Sequence, residues 1–468
     1  MKICAFSTVT SALLTGAFLV TSCSSDVENI NDDPTGDAIC FSTAVGHSRA
    51  EETKIGNLGN FAVVARGMHH DGVLYDSFLI GSGIAGEVAK RDGSSSIWKL
   101  DRNVYWPSTF DKVMFFAYTT LKSGETGDAL YSGSFGFGDN KDPFINDYAP
   151  KKADLTVSSD APAKVWADGK EQKDLVVAYT MQKRETSPTT VSLNFKHALT
   201  QISITARQKD KSDNDNRIVK IKGAWIVNAS ESGKLLGNLN YNQSSQSTND
   251  QLSWTGTGDK VAYGSFYNQS LTLNKDNDMD LLRPEVYNGE STTGSMMLVP
   301  ENLTAWDKTQ DNTGAYILLL CRVELKHPGA THNGVDLSDI GTDGTDHYHQ
   351  LFPVNTAKYD ATEYGFVCVP LSSTWNTEGI GKHYTYNLDI CGATTGAGLY
   401  PPQFTDDQIN KLLPAGSWGS DKNLNVVTTR PNTKNVGDPV LDEPIKFSVT
   451  VENWAAPEEG WTPGNGTF

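Results

Sequence analysis

The sequence predicts an all-β protein built as two antiparallel β-sandwich domains in tandem, with one short helix in a late insertion. Period-two alternation of apolar and polar residues recurs along the chain, whereas helical periodicity is scarce. Clusters of Gly, Asn, Asp and Pro separate the alternating runs, as hairpins and loops require. The runs are not interleaved with helices, which argues against a parallel βαβ sheet. The length of 468 residues suits two or three domains, since all-β domains often reach about 200–250 residues.

Composition is that of a folded chain, with 38% hydrophobic, 10% aromatic and 20% charged residues. Gly 42 and Pro 19 exclude a collagen-like or low-complexity protein. Lys+Arg 39 against Asp+Glu 56 leaves a net charge of −17, which opposes binding to a phosphate backbone and argues against nucleic acid as a partner.

Residues 1–22 read as a secretory signal. Met1-Lys2 is a short basic start, and Val9–Val20 is an apolar run too short to span a bilayer. The run ends in Val20-Thr21-Ser22-Cys23, which fits a lipobox with Cys23 acylated as the mature N-terminus. The alternative is ordinary cleavage with Cys23 as a bystander. Ser24-Ser25-Asp26 gives no inner-membrane retention cue, so the expected location is the outer membrane. Residues 23–37 are polar and acidic and read as a flexible tether. The remaining cysteines, Cys40, Cys321, Cys368 and Cys391, show no zinc-like spacing. Buried hydrophobes or one disulfide both fit them.

From there the strands follow in order. Ala38–Val45 sets Ile39, Phe41 and Val45 on one face, against Cys40, Ser42 and Ala44. Further strands are expected at 61–66, 75–80, 113–119, 174–180, 191–195, 201–206, 219–227, 296–299, 316–325, 364–371 and 384–390. The last is Ile445–Trp454, where Ile445, Phe447, Val449 and Val451 alternate with Lys446, Ser448, Thr450 and Glu452 as a half-buried antiparallel strand. Thr405 followed by Gln408 marks a capped helix that Pro414 stops. The polar segment 181–190 contains Pro188 and divides the chain into sandwiches at 37–186 and 187–468. The second carries long polar loops at 208–216, 240–250, 327–345 and 392–419. No clear internal repeat is evident.

Several strings, in order, resemble the fimbrillin family of type V pilus subunits. They are Tyr105-Trp106-Pro107 followed by Val113–Tyr118, then Asp174–Tyr179 with Val191–Ile204, then Trp375 with Gly381–Leu388, and Phe447–Trp454. The resemblance implies two transthyretin-like β-sandwich domains and a surface-exposed lipoprotein precursor whose mature form is in fimbriae. It also implies a trypsin-like protease that cuts in the loop after the first strand, here between Arg49 and Ala50. The lost strand, with Ile39, Phe41 and Val45, would leave a groove that another pilus subunit fills. The same residues have structural readings. Trp106, Phe115 and Phe116 are core anchors, Pro107 ends a strand, and His197 is a bend residue.

The donor strand stays open at this point. Either Ile445–Val451 donates, or the chain only accepts, as a tip or accessory subunit would, since the tail 455–468 makes a poor donor. The expected role is thus a structural or adhesive subunit, tip or accessory rather than main stalk, with a host protein or glycan as a candidate receptor. The alternative is an outer-membrane glycan-binding lipoprotein using Trp254, Trp306, Trp375 and Trp418 as a platform. No catalytic motif and no cofactor signature is evident. Asp343, Asp346, His347 and His349 read as a solvated loop rather than a metal site, and His69-His70-Asp71 as a turn. Asp276, Asp278 and Asp280 open like an EF-hand but lack its Gly and its final Glu.

Overall fold

The computed structural model describes residues 38–45, 58–68, 74–93, 97–107, 112–138, 142–150, 172–183, 190–242, 247–282, 295–309, 313–329, 340–354, 359–413, 416–419, 422–441 and 443–453. The expected all-β class is what it shows. In the first half the strands are β1 (Cys40–Val45), β2 (Phe61–Met68), β3 (Leu74–Ile80), β4 (Glu87–Arg91) and β5 (Ile97–Leu100). They continue with β6 (Lys112–Thr119), β7 (Ser134–Phe137), β8 (Pro143–Tyr148), β9 (Val176–Lys183) and β10 (Thr190–His197).

Eight of these form one sheet in the order β3-β2-β4-β5-β1-β10-β9-β6, and β6 also pairs with β2. That pairing closes a ring in which β1 is one stave, parallel to β10 and antiparallel to β5. Phe61, Val63, Trp98, Phe115, Leu193 and Phe195 fill its interior. β4 and β5 were not expected. The run EVAKR is mostly charged, and IWKL, though apolar, is only four residues long, too short to show a period.

The second half contains β11 (Thr200–Arg207), β12 (Arg217–Asn242), β13 (Ser247–Thr272), β14 (Met279–Asp280), β15 (Met296–Leu298), β16 (Tyr316–Pro328), β17 (Ile340–Thr342) and β18 (Asp346–Phe352). After β19 (Glu363–Pro370) come α1 (Trp375–Glu378), β20 (Lys382–Asp389), α2 (Asp406–Leu412), β21 (Asn425–Val427) and β22 (Lys446–Asn453). A five-stranded sheet, β14-β11-β20-β22 with β15 on β11, faces a nine-stranded one built on β17-β18-β16-β12-β8-β7. Ile202, Ile204, Tyr386 and Leu388 of the first meet Ile221, Ile317, Leu319 and Val367 of the second in one core. Outside the larger sheet, Ile409 and Leu412 of α2 cover Leu318, Leu320 and Phe366. The helix is capped as expected. Thr405 accepts from the Gln408 backbone N–H, and Gln408 Oε1 accepts from Thr405 N at 2.9 Å. The single turn α1 was not expected, nor was the length of β12 and β13, which absorb most of the expected loop at 240–250.

Sheet membership crosses residue 186/187 in both directions. β10 follows that point yet pairs with β1 and β9, while β7–β8 precede it and dock on β12, Ile145 against Leu235. The junction is held by specific bonds. Trp254 Nε1 donates to Ala198 O at 2.6 Å, and Thr200 Oγ1 donates to Gly379 O at 2.7 Å. Gln172 exchanges two bonds with the Met297 backbone, at 2.6 and 2.7 Å. His197, the expected bend residue, is buried with Nδ1 2.8 Å from Asp174 Oδ2. Among the described residues no helix is long and apolar enough to cross a membrane.

Candidate functional site: an enclosed first strand and an open last one

The site is made of two strands at opposite ends of the described chain. β1 is held on both edges. Cys40 through Val45 run in register with Thr190 through Phe195, and Phe41 and Ser42 pair with Trp98 and Ile97. Ile39 and Phe41 are buried, Phe41 completely. Its ring meets Phe61 at 5.9 Å and Phe115 at 6.0 Å, both edge-on. Burying a Phe or Ile contributes about 1.5–3 kcal/mol, so β1 is integral to the ring. Val45 holds a register position opposite Phe195. Arg49 and Ala50, like Cys23, lie outside the described residues, as do His69, His70 and Asp71.

β22 is the reverse case. It is antiparallel to β20, as expected of that segment, with Phe447 opposite Leu388, Val449 opposite Tyr386 and Val451 opposite Tyr384. Those partners are buried, and so is Ile445 just before the strand. Phe447, Val449 and Val451 are instead 39%, 42% and 50% exposed. The expectation of a half-buried strand is therefore corrected. The alternation put the right residues on one face, but that face runs past the described core and stays uncovered. Phe447 touches Tyr386 at its near end, with ring centres 6.0 Å apart. An edge strand with an open ladder and an open apolar face invites another chain.

The two strands share a pattern that the sequence reading missed. Ile39-Cys40-Phe41-Ser42-Thr43-Ala44-Val45 and Ile445-Lys446-Phe447-Ser448-Val449-Thr450-Val451 carry the same residue at the first, third, fourth and seventh places. Comparing the first predicted strand with the last would have found it. A search for domain-length repeats does not.

Other candidates resolve differently. Trp254, Trp306 and Trp375 are buried, and Trp418 donates from Nε1 to Asn410 Oδ1 at 2.9 Å, so the tryptophan platform of the alternative reading is not formed. Each indole anchors a core. Phe115 fills the ring, with Trp106 packed against it at 5.9 Å, whereas Phe116 faces the junction and stacks on Phe135. Cys321, Cys368 and Cys391 are free, buried thiols. Asp278 pairs with Arg207, and the Asn274 side chain accepts from the backbone of Asp276 and Asn277, which gives the EF-hand-like string a structural role. The expected solvated loop at Asp343–His349 is a hairpin between β17 and β18. Asp343 accepts from Asp346 N and Tyr348 Oη, and these bonds hold its carboxyl well below the usual range.

A closed β-ring with its first strand as a stave, joined to a sandwich ending in an exposed edge strand, defines an all-β chain with one enclosed and one outward-facing apolar strand. The sequence pattern of the fimbrillin-like family matches residues 82–317, about half of the chain. The protein belongs to the fimbrillin-like family. That membership makes it a pilus or adhesion subunit of the cell surface, one that assembles with other pilus subunits. No curated protein matches the sequence. Among solved structures, a fimbrial protein from Bacteroides vulgatus is 17% identical, with 75% of this chain and 94% of that chain covered and a TM-score of 0.42. A protein from Parabacteroides distasonis, assigned provisionally to cell adhesion, is 10% identical, with 90% and 98% covered and a TM-score of 0.39. At such identities and TM-scores neither likeness bears on mechanism.

Proposed function

We propose that the protein is a pilus subunit that polymerises by strand exchange, giving up β1 and receiving in its place a β22-type strand from a neighbouring subunit. The observation that carries this reading is the pairing of an enclosed β1 with an exposed β22 of matching residue pattern. Loss of β1 would open the Phe41 pocket and leave β5 and β10 with unpaired edges. An incoming Phe447 has the side chain that pocket already holds. For Ile445, Phe447 and Val451 to take the places of Ile39, Phe41 and Val45, the donor must run in the direction of β1, parallel to β10.

Release of β1 needs a cut in 46–57, and Arg49–Ala50 is the site that a trypsin-like protease cutting after arginine would use, since Lys54 is the other basic residue there. Before the cut, residues 1–22 serve as the signal, 23–37 as the tether, and lipid on Cys23 holds the precursor at the outer membrane. A tip position was expected because the tail 455–468 is a poor donor. The exposure of β22 supports a subunit that donates as well as accepts.

The test is limited digestion of purified protein with an arginine-specific protease, which spares Lys54, followed by electrophoresis without boiling. Cleavage after Arg49 should yield ladders. Arg49→Ala should stay monomeric under the same treatment. Phe447→Asp with Val449→Asp should be cut but should not ladder. Ladders from the uncut Arg49→Ala protein, or ladders undiminished in the Phe447/Val449 variant, would sink the proposal.

A further inference from the structure

A cleft opens where three segments of the second half converge. Phe352, Pro353 and Val354 leave β18, Tyr400 through Phe404 lead into the cap of α2, and Val427 through Arg430 leave β21. Parallel pairing of β21 with β19 sets Val427 opposite Gly365, next to Phe366 of the floor. Hydrogen bonds fix the walls. Tyr400 N donates to Asp438 O at 3.0 Å, Gly437 N donates to Tyr400 O at 2.8 Å, and the Gln350 side chain donates to Pro353 O at 2.7 Å. The rings of Phe352 and Tyr400 meet at 6.1 Å, and those of Phe366 and Phe404 at 5.1 Å. Phe352, Phe366 and Tyr400 are buried beneath, whereas Val354 is 46% exposed at the rim.

Among the described residues that line the cleft, Arg430 alone is charged. Its guanidinium makes no hydrogen bond or ion pair among the described residues, and its Nε is shielded from solvent without an acceptor. A shielded donor of that kind is unfavourable until an acceptor reaches it. Burial raises the Tyr400 pKa, and Arg430 offsets part of that rise, which sets the cation near the phenol. The hydroxyls of Thr428 and Thr429 and the amide of Gln403 also line the cleft and make no hydrogen bond among the described residues.

We propose that this cleft binds the terminal acidic sugar of a glycan, with Arg430 on the sugar carboxylate and the apolar floor under the C–H face of the ring. The planar fork of arginine matches two carboxylate oxygens. A neutral sugar leaves the cation unmatched, and a simple organic acid leaves Thr428, Thr429 and Gln403 unmatched. A ring carrying both a carboxylate and hydroxyls satisfies all of them, and a largely apolar lining with a few polar groups is how small-ligand sites are built. The cleft is shallow, about 400 Å³ with open solvent included, so it takes one ring lying flat and leaves the remainder of the glycan in water. No residue of β1 or β22 lines it, so the proposal stands apart from strand exchange.

The experiment is titration of full-length protein with methyl β-D-glucuronide, followed by ligand-detected NMR. The expected result is saturable binding with a dissociation constant on the order of 1 mM, as ligands of that size give. Methyl β-D-glucoside, which lacks the charge, and benzoate, which lacks the hydroxyls, should each bind about 10-fold or more weaker. Arg430→Gln should weaken glucuronide binding by about 10-fold or more, and Val354→Asp should weaken it by setting a like charge at the rim. Melting temperatures equal to that of the wild type verify both folds, and laddering after cleavage should be unchanged in both variants. Absence of saturable glucuronide binding by the wild type overturns the proposal. Equal binding by Arg430→Gln, or glucoside or benzoate bound as tightly as glucuronide, overturns it as well.

Discussion

Phe41 of β1 and Phe447 of β22 hold the same place in two matching seven-residue strings, yet the first is wholly enclosed and the second is 39% exposed. The same side chain in the same local pattern therefore stands in two different energetic states, one spent on folding and one still available for association.

Stability should reflect that difference. In the uncut protein, Phe41→Ala should lose about 3–5 kcal/mol, as buried Phe truncations do, whereas Phe447→Ala should stay within about 1 kcal/mol. Urea denaturation followed by tryptophan fluorescence compares the two. Similar losses for both would mean that β22 is covered in solution.

A second expectation concerns the buried ion pair on β16. Arg322 Nε donates to Glu324 Oε1 at 2.5 Å, Lys220 lies 2.8 Å from Glu324 Oε2, and Tyr359 Oη donates at 2.7 Å. Burial alone would raise the Glu324 pKa. Lys220, Arg322 and Tyr359 together outweigh it and hold the carboxyl below its ordinary 4.5. A depressed folded value stabilises the protein above the unfolded value, and that contribution fades as pH falls from about 4.5 through the folded value. Glu324→Gln should cost about 3–5 kcal/mol at pH 7 by leaving Arg322 uncompensated. It should also flatten the acid limb of a stability–pH curve, and an unchanged limb would refute the assignment.

The thiols give a simpler check. Burial pushes Cys391 up to about 12 and raises Cys321 and Cys368 as well. Because the thiolate is the reacting form, native protein at pH 8 should resist iodoacetamide at all three positions, while urea-unfolded protein is alkylated fully. Peptide mapping by mass spectrometry reads each site separately. Modification of any of the three in the folded state contradicts the packing described.

At the junction, Trp254→Phe deletes the indole donor to Ala198 O and, because phenyl is smaller than indole, leaves a small cavity at an enclosed position. A loss of at least about 1 kcal/mol is expected, the bond and the cavity both contributing. Calorimetry would detect it as a lower melting temperature, and no change would show that the bond contributes nothing.

Alternation made most strands legible, β1 and β22 included, because it reports which side chains share a face. It does not report whether anything covers that face, so the exposure of Phe447, Val449 and Val451 was out of reach. Short charged strands such as β4 carry too little pattern to be read alone. The hairpin around Gly344 looked like a loop because its strands are brief and polar. The four tryptophans looked like a binding platform because they flank polar segments, but three of them are enclosed by residues distant in sequence.

The exchange of strands across residue 186/187 has a consequence for how the polypeptide matures. Ile145 must wait for Leu235, and Phe41 for Val191, before either finds its partner. A chain emerging from its amino end thus carries sticky, unfinished edges until about half of it has been made. The second sandwich waits longer still, because Tyr386 and Leu388 of β20 meet Val449 and Phe447 of β22 only when the last strand has been made.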